Sequence, residues 1–122
     1  MDYKILIAED EDVMRSMLVD FLTDYGYEVM EAENGAVAWD LWNKNKFNLL
    51  ITDISMPRLN GIDLLKKIKL VDKNFPVIVV TGVTIENAMN EALSFGADAF
   101  LAKPFKMKDL LVKINEISKA QN

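Results

Sequence analysis

Five short apolar runs, KILIA, YEVMEA, FNLLIT, PVIVVT and AFLA, alternate along the chain with stretches whose apolar residues recur at helical spacing. This alternation constrains the fold more than any other feature, because it predicts five successive βα units. Val13, Met14, Met17, Leu18, Phe21 and Leu22 mark one face of a first helix, capped by Asp12 and stopped before Gly26. A second helix is expected after Asn34, burying Ala38, Leu41 and Trp42, and a third near Asn60, burying Leu64, Leu65 and Ile68. Ile85, Ala88, Met89 and Ala92 suggest a fourth, opened by Thr84 and closed near Gly96. Met107, Leu110, Leu111, Ile114 and Ile117 suggest a fifth. Leu49-Leu50-Ile51 and Val77-Ile78-Val79-Val80 are apolar on both faces, as a parallel sheet covered by helices on each side requires. Right-handed crossovers then build a doubly wound α/β fold.

A chain of 122 residues with 51% apolar composition is expected to form one domain, residues 1–122, with the last four as a tail or the start of a linker. The formal charge of −5 argues against direct nucleic-acid binding and against anionic lipid. The absence of Cys and His excludes disulfides, thiolate or imidazole metal sites, thiol nucleophiles and a Ser-His-Asp triad. No stretch approaches the length of a membrane span and the first residues do not read as a secretory signal, so the expected compartment is the cytoplasm.

In open α/β sheets the site lies beyond the carboxyl ends of the strands. Glu9 and Asp10 follow the first predicted strand, Asp53 the third, Thr81 and Gly82 the fourth, and Lys103 and Pro104 the fifth. Glu31 and Glu33, at the end of the second, read as solvent-exposed. Taken alone, the run Glu9 to Asp12 would be a solvated acidic turn. Three carboxylates, a hydroxyl and an ammonium converging from separate strands are another matter. Two like charges about 4 Å apart repel by roughly 4 kcal/mol at an effective dielectric of 20. A bound cation resolves that conflict, and an all-oxygen donor set suits Mg2+. A partly hydrated Mg2+ beside a carboxylate and a Lys suits phosphoryl chemistry.

The set AED, TDISMPRLNG, VVTG and LAKPF resembles, in order and spacing, the receiver domain of two-component response regulators, and the resemblance spans essentially the whole chain. It implies a flavodoxin-like three-layer (βα)5 sandwich with strand order 2-1-3-4-5. It also implies that Asp53 is the phospho-acceptor, and that Mg2+ is held by Asp10, Asp53 and the backbone carbonyl of Ser55, with Glu9 binding directly or through water. Lys103 would pair with phosphoryl oxygens, Thr81 would donate to one of them, and Phe100 would turn inward as Thr81 moves. Pro104 would follow a cis peptide. The donor would be a sensor histidine kinase or a phosphotransfer protein, and the output surface the fourth helix, fifth strand and fifth helix. The chain would act as a monomer or as a phosphorylation-dependent dimer.

Two departures are small: Glu9 stands where Asp is frequent, and Gly82 where Ala is usual. Ser55 and Val83 occupy positions that tune phosphoryl lifetime in the family. Three other readings compete. A haloacid-dehalogenase-like phosphatase needs a second Asp two residues past the nucleophile, where this chain has Ser55. A flavodoxin-like carrier needs a hydroxyl- and Gly-rich phosphate loop after the first strand, where this chain is acidic. A receiver scaffold that works without phosphorylation would not need the full set of chemical groups.

Overall fold

The computed structural model describes residues 2–82 and 86–121, with Glu86 described by its backbone alone. Ten elements alternate without exception among those residues: β1 (Lys4–Ala8), α1 (Asp12–Asp24), β2 (Glu28–Ala32), α2 (Gly35–Lys44), β3 (Leu49–Thr52), α3 (Gly61–Val71), β4 (Val77–Thr81), α4 (Glu86–Ser94), β5 (Ala99–Ala102) and α5 (Met107–Ala120). The strands form one parallel sheet in the order β2-β1-β3-β4-β5. This is the doubly wound, flavodoxin-like order that the resemblance implied.

Strand side chains alternate between the two faces, so each central strand feeds two cores. Leu6, Ala8, Leu50, Val77 and Val79 pack with Ala38, Leu64, Leu65, Ile68 and Ala92 from α2, α3 and α4. Ile5, Ile7, Leu49, Ile51, Ile78 and Val80 pack with Leu18, Leu22, Leu110 and Ile114 from α1 and α5. Ile5, Leu6, Ile7, Leu49, Leu50, Ile51 and Ile78 are all fully buried. Burying each such side chain is worth about 1.5–3 kcal/mol, so β1 and β3 anchor both cores at once.

Helix starts follow local chemistry where a short polar side chain was available. Asn34 accepts from the Val37 amide at 2.9 Å, and Asn60 accepts from the Asp63 amide at 2.9 Å, each closing an otherwise open first turn. At α1 the expectation fails. The N-cap is Glu11, it makes no side-chain cap bond, and Asp12 is the first helical residue. Asp12 therefore lies one position past the cap, and its carboxylate pairs with Arg15 one turn on. The apolar stripe of α1 is also narrower than its sequence suggests: Leu18 and Leu22 are buried, whereas Val13 is 68% and Met17 52% exposed. Met17 lies about 100° around the helix from Leu18, beyond the sector that meets the sheet. Thr84, Ile85 and Val83 lie outside the described residues. Gly26 and Gly96, with φ of 104° and 98°, end α1 and α4 as expected.

Candidate functional site

The carboxyl ends of β1, β3, β4 and β5 lie side by side because the strands are parallel and in register: Ala8 faces Thr52, and Thr81 faces Ala102. The residues just past those ends therefore converge. The Glu9 amide donates to the Ala32 carbonyl and the Asp53 amide to the Ala8 carbonyl, both at 3.0 Å, so the backbone ladder carries both acids to the sheet edge. The Lys103 amide likewise donates to the Thr81 carbonyl at 2.8 Å.

The Lys103 ammonium bridges the two acids, with Nζ 2.7 Å from Glu9 Oε1 and 2.9 Å from Asp53 Oδ2. The remaining oxygens meet backbone donors: the Glu11 amide at 3.1 Å from Glu9 Oε2, and the Ser55 amide at 3.2 Å from Asp53 Oδ1. Glu9 is fully buried and Asp53 is 5% exposed. Burial pushes the Glu9 carboxyl above the usual range, against the hydrogen bonds from Lys103 and Glu11, and the charge of Asp53 pushes the same way. Burial pulls the Lys103 ammonium down, but its hydrogen bonds to Glu9 and Asp53 and their charges outweigh this, leaving it above an ordinary lysine. Asp10 is exposed, and oxygens of Glu9, Asp10 and Asp53 lie within 4.8 Å of one another.

One ammonium thus faces three carboxylates, two of them buried. A hard cation fits this donor set: three oxygens already gathered, one of them open to water, and no His or Cys in the chain. Ser55 sits two residues past Asp53 in the loop to α3, exposed. Thr81 is fully buried at the end of β4. The register pairs of Val79 with Phe100 and Thr81 with Ala102 place Thr81 and Phe100 on the same face of the sheet, that of α2, α3 and α4, and Phe100 packs half-buried against that core. The Lys103-Pro104 peptide is cis.

Two features of the site were not read from the sequence. The first is Arg15, whose side chain is 14% exposed. Its guanidinium donates to the Glu9 carbonyl at 2.8 Å and to Glu31 at 3.0 Å, besides pairing with Asp12. A cation near the start of a helix opposes the helix dipole, and that misplacement was the available signal that Arg15 has tertiary partners. The second is how tightly the loop after Asp53 is closed. A Cβ on Gly61 would lie 1.9 Å from the Asp53 carbonyl oxygen, and one on Gly35 would lie 1.8 Å from the Leu59 carbonyl oxygen. By contrast, a Cβ on Gly82 would only touch the Lys103 stem at 4.0 Å.

Residues 5–115 match the family model of the response regulator receiver domain. The chain is 38% identical to the chemotaxis protein CheY of Thermotoga maritima, over 98% of this chain and 100% of that protein. Among solved structures, the receiver domain of the Francisella response regulator 1452 superposes with a TM-score of 0.93 at 29% identity, covering 99% of this chain and 100% of that one. The response regulator TrrA of Thermotoga maritima, solved in complex with Mg2+-BeF, superposes with a TM-score of 0.86 at 29% identity over 94% of this chain and 98% of that one. The chain belongs to the response regulator receiver family. It is a CheY-like receiver domain of two-component signalling, a signalling module and not a conventional enzyme. Receiver domains of this family work with histidine kinases or phosphotransfer proteins and with downstream targets. Among the described residues no helix is long and apolar enough to cross a membrane.

Proposed function

We propose that the chain is a single receiver domain that takes a phosphoryl group onto Asp53 and changes its partner-binding surface in response. One observation carries this reading: Glu9, Asp10 and Asp53 gather their oxygens within 4.8 Å, with the Lys103 ammonium hydrogen-bonded to two of the three. Glu9, Asp10, Asp53 and the Ser55 carbonyl would hold Mg2+, which when bound supplies the positive charge that a transferring phosphoryl group needs. An Asp53 carboxylate oxygen attacks phosphorus of a phosphohistidine on a partner histidine kinase or phosphotransfer protein. The P–N bond breaks, its electron pair returns to the imidazole, and an acyl phosphate remains on Asp53.

Lys103 already donates to Asp53 Oδ2, so a small swing would let its ammonium follow the new negative charge onto the phosphoryl oxygens. Thr81, on the sheet face of α4, would donate its hydroxyl to one of those oxygens. Phe100, on the same face two residues before Ala102, would repack as Thr81 moves, shifting the population of the surface formed by α4, β5 and α5.

The test is intact mass after incubation with Mg2+ and acetyl phosphate. The expected result is one phosphoryl adduct on the natural protein, dependent on Mg2+, and none on Asp53→Asn. An adduct of equal yield on Asp53→Asn, or no adduct on the natural protein, would overturn the assignment. Lys103→Ala should still bind Mg2+ but lose the change at Phe100 that follows phosphorylation, read by amide chemical shifts.

A further inference from the structure

α3 begins at Gly61 beside the Asp53 carbonyl and runs for 11 residues back along the sheet. At 1.5 Å per residue its last turn lies about 15 Å from the phosphorylation site, at the opposite edge of the strands. That turn is unexpectedly apolar: Leu70 is 87% and Val71 65% exposed. The end of α4 adds Leu93, 46% exposed, and Phe95 just beyond it, 41% exposed. Leu70, Phe95, Lys66 and Lys69 line a groove of about 320 Å³, room for a large side chain and part of its neighbours. Among the described residues no carboxylate lines it.

The charge around this groove runs against that of the chain. Acids exceed bases by five overall, yet Lys66, Lys67, Lys69 and Lys73 gather here. Lys69 pairs with Asp98 at 3.3 Å. Lys66 instead lies 4.2 Å over the Phe95 ring and Lys67 lies 5.3 Å over the Trp39 ring. Among the described residues neither they nor Lys73 has a carboxylate partner. An ammonium resting on a ring face keeps donors free for an incoming carboxylate. Of the nearby acids, Asp98 is taken up by Lys69, Asp72 accepts from the Asn74 amide at 3.0 Å, Glu91 lies one turn before Phe95, and Asp63 sits at the far end of α3.

We propose that the α3–α4 groove docks a partner protein through an acidic segment. One large apolar side chain of that segment seats on Leu70 and Phe95, and flanking carboxylates reach Lys66, Lys67 and Lys73. The area is too small for affinity by burial alone, so the lysines supply orientation and encounter rate. An anionic membrane is the poorer occupant. A broad charged surface feels the whole net charge of −5, whereas a short segment within a Debye length of about 8 Å meets mainly the local lysines. A second copy offering α1, whose exposed Val13 and Met17 lie near Asp12, would make a head-to-tail contact and not a two-fold dimer.

The test is amide chemical-shift mapping of the labelled protein titrated with a synthetic peptide of glutamates around one Leu and one Phe four residues apart. Its twin, with Lys for every Glu, and phosphatidylserine vesicles are titrated in parallel. The expected result is a saturable shift of residues 66–73 and 93–96 with the glutamate peptide only, weakened by added salt and unchanged in Asp53→Asn. Leu70→Glu, a change at a fully wetted position that leaves the core alone, should weaken binding by about tenfold or more, and Lys67→Glu in the same direction. The proposal is overturned by no saturable shift, by an equal response to the lysine twin, by shifts on another face, by a stronger response to vesicles, or by Leu70 shifts that track protein concentration without peptide. Because the readout needs neither Mg2+ nor a phosphoryl group, its failure leaves the phosphorylation assignment standing, and the reverse also holds.

Discussion

Arg15 ties the loop that carries Glu9 and Asp10 to α1 and β2 through one guanidinium. Of its three partners, Asp12 and Glu31 are 86% and 51% exposed, so those pairs contribute little, and the bond to the Glu9 carbonyl matters most. Arg15→Ala should cost about 1–2 kcal/mol in denaturant unfolding. It should also weaken Mg2+ binding in a calorimetric titration. Removing a cation near the site would by Coulomb's law alone strengthen that binding, so the sign of the change separates positioning from charge. Arg58 offers the opposite case. It sits at φ 74° in the loop after β3, where the Leu59 amide donates to the Pro57 carbonyl at 2.8 Å. That three-residue turn is unfavourable for a residue with a Cβ. Arg58→Gly should therefore raise the unfolding free energy by up to about 1 kcal/mol, less whatever the freer glycine loses on folding. An unfolding midpoint lowered by the change would show that Arg58 makes contacts that outweigh the strain.

Among elements, α3 and the loop that feeds it tolerate little, since the Gly61 amide bonds the Ile54 carbonyl at 2.9 Å while a Cβ there would lie 1.9 Å from the Asp53 carbonyl oxygen. Gly61→Ala cannot be absorbed by a side-chain rotation, because the clash is with backbone. It should cost several kcal/mol, about 2 or more, and slow acetyl phosphate labelling of whatever protein folds. Gly82→Ala is the useful control, since its Cβ meets only a flexible lysine stem at ordinary contact distance. It should fold as the natural protein does and leave labelling measurable. The aromatic strip of Trp39, Trp42 and Phe75, with Trp39 and Trp42 stacked at 5.8 Å and Phe75 edge-on to Trp42 at 5.4 Å, fastens α2 to the far edge of the sheet. Lys67 spreads over this strip as Lys66 spreads over Phe95, so the stem of α3 links both flanks of the proposed docking face.

At the scale of the molecule, the first strand and the last helix are joined where the Tyr3 hydroxyl donates to Gln121 Oε1 at 2.6 Å and the Gln121 amide nitrogen donates to the Asn48 carbonyl at 3.0 Å. Burial, reinforced by Tyr27, pushes the Tyr3 hydroxyl up to about 12. A raised folded value means that the neutral form is the stabilising one. Its contribution is complete below about 10, the unfolded value, and is lost as pH rises towards about 12, up to about 2–3 kcal/mol. Lys103, also raised, loses its share in the same direction above the ordinary lysine value. Tyr3→Phe should therefore be less stable than the natural protein at neutral pH, by about 1 kcal/mol for the missing hydrogen bond, and the gap should close and reverse in strongly alkaline buffer. Denaturant unfolding across that range checks it, and parallel curves would contradict the assignment. The sequence by itself determined the element order, the two-faced burial of β3 and β4 and the positions of Glu9, Asp10, Asp53, Thr81 and Lys103 at strand ends, because periodicity and strand-end position are local properties of the chain. It also marked Asn34 and Asn60 as caps, since a cap needs only its own next turn. Only the tertiary structure decided that Lys103 bridges Glu9 and Asp53, that Arg15 reaches Glu31 and the Glu9 carbonyl, that Val13 and Met17 face outwards, and that Leu70 lies bare among lysines. Each of those depends on which distant element arrives beside the residue, and a linear pattern does not carry that information.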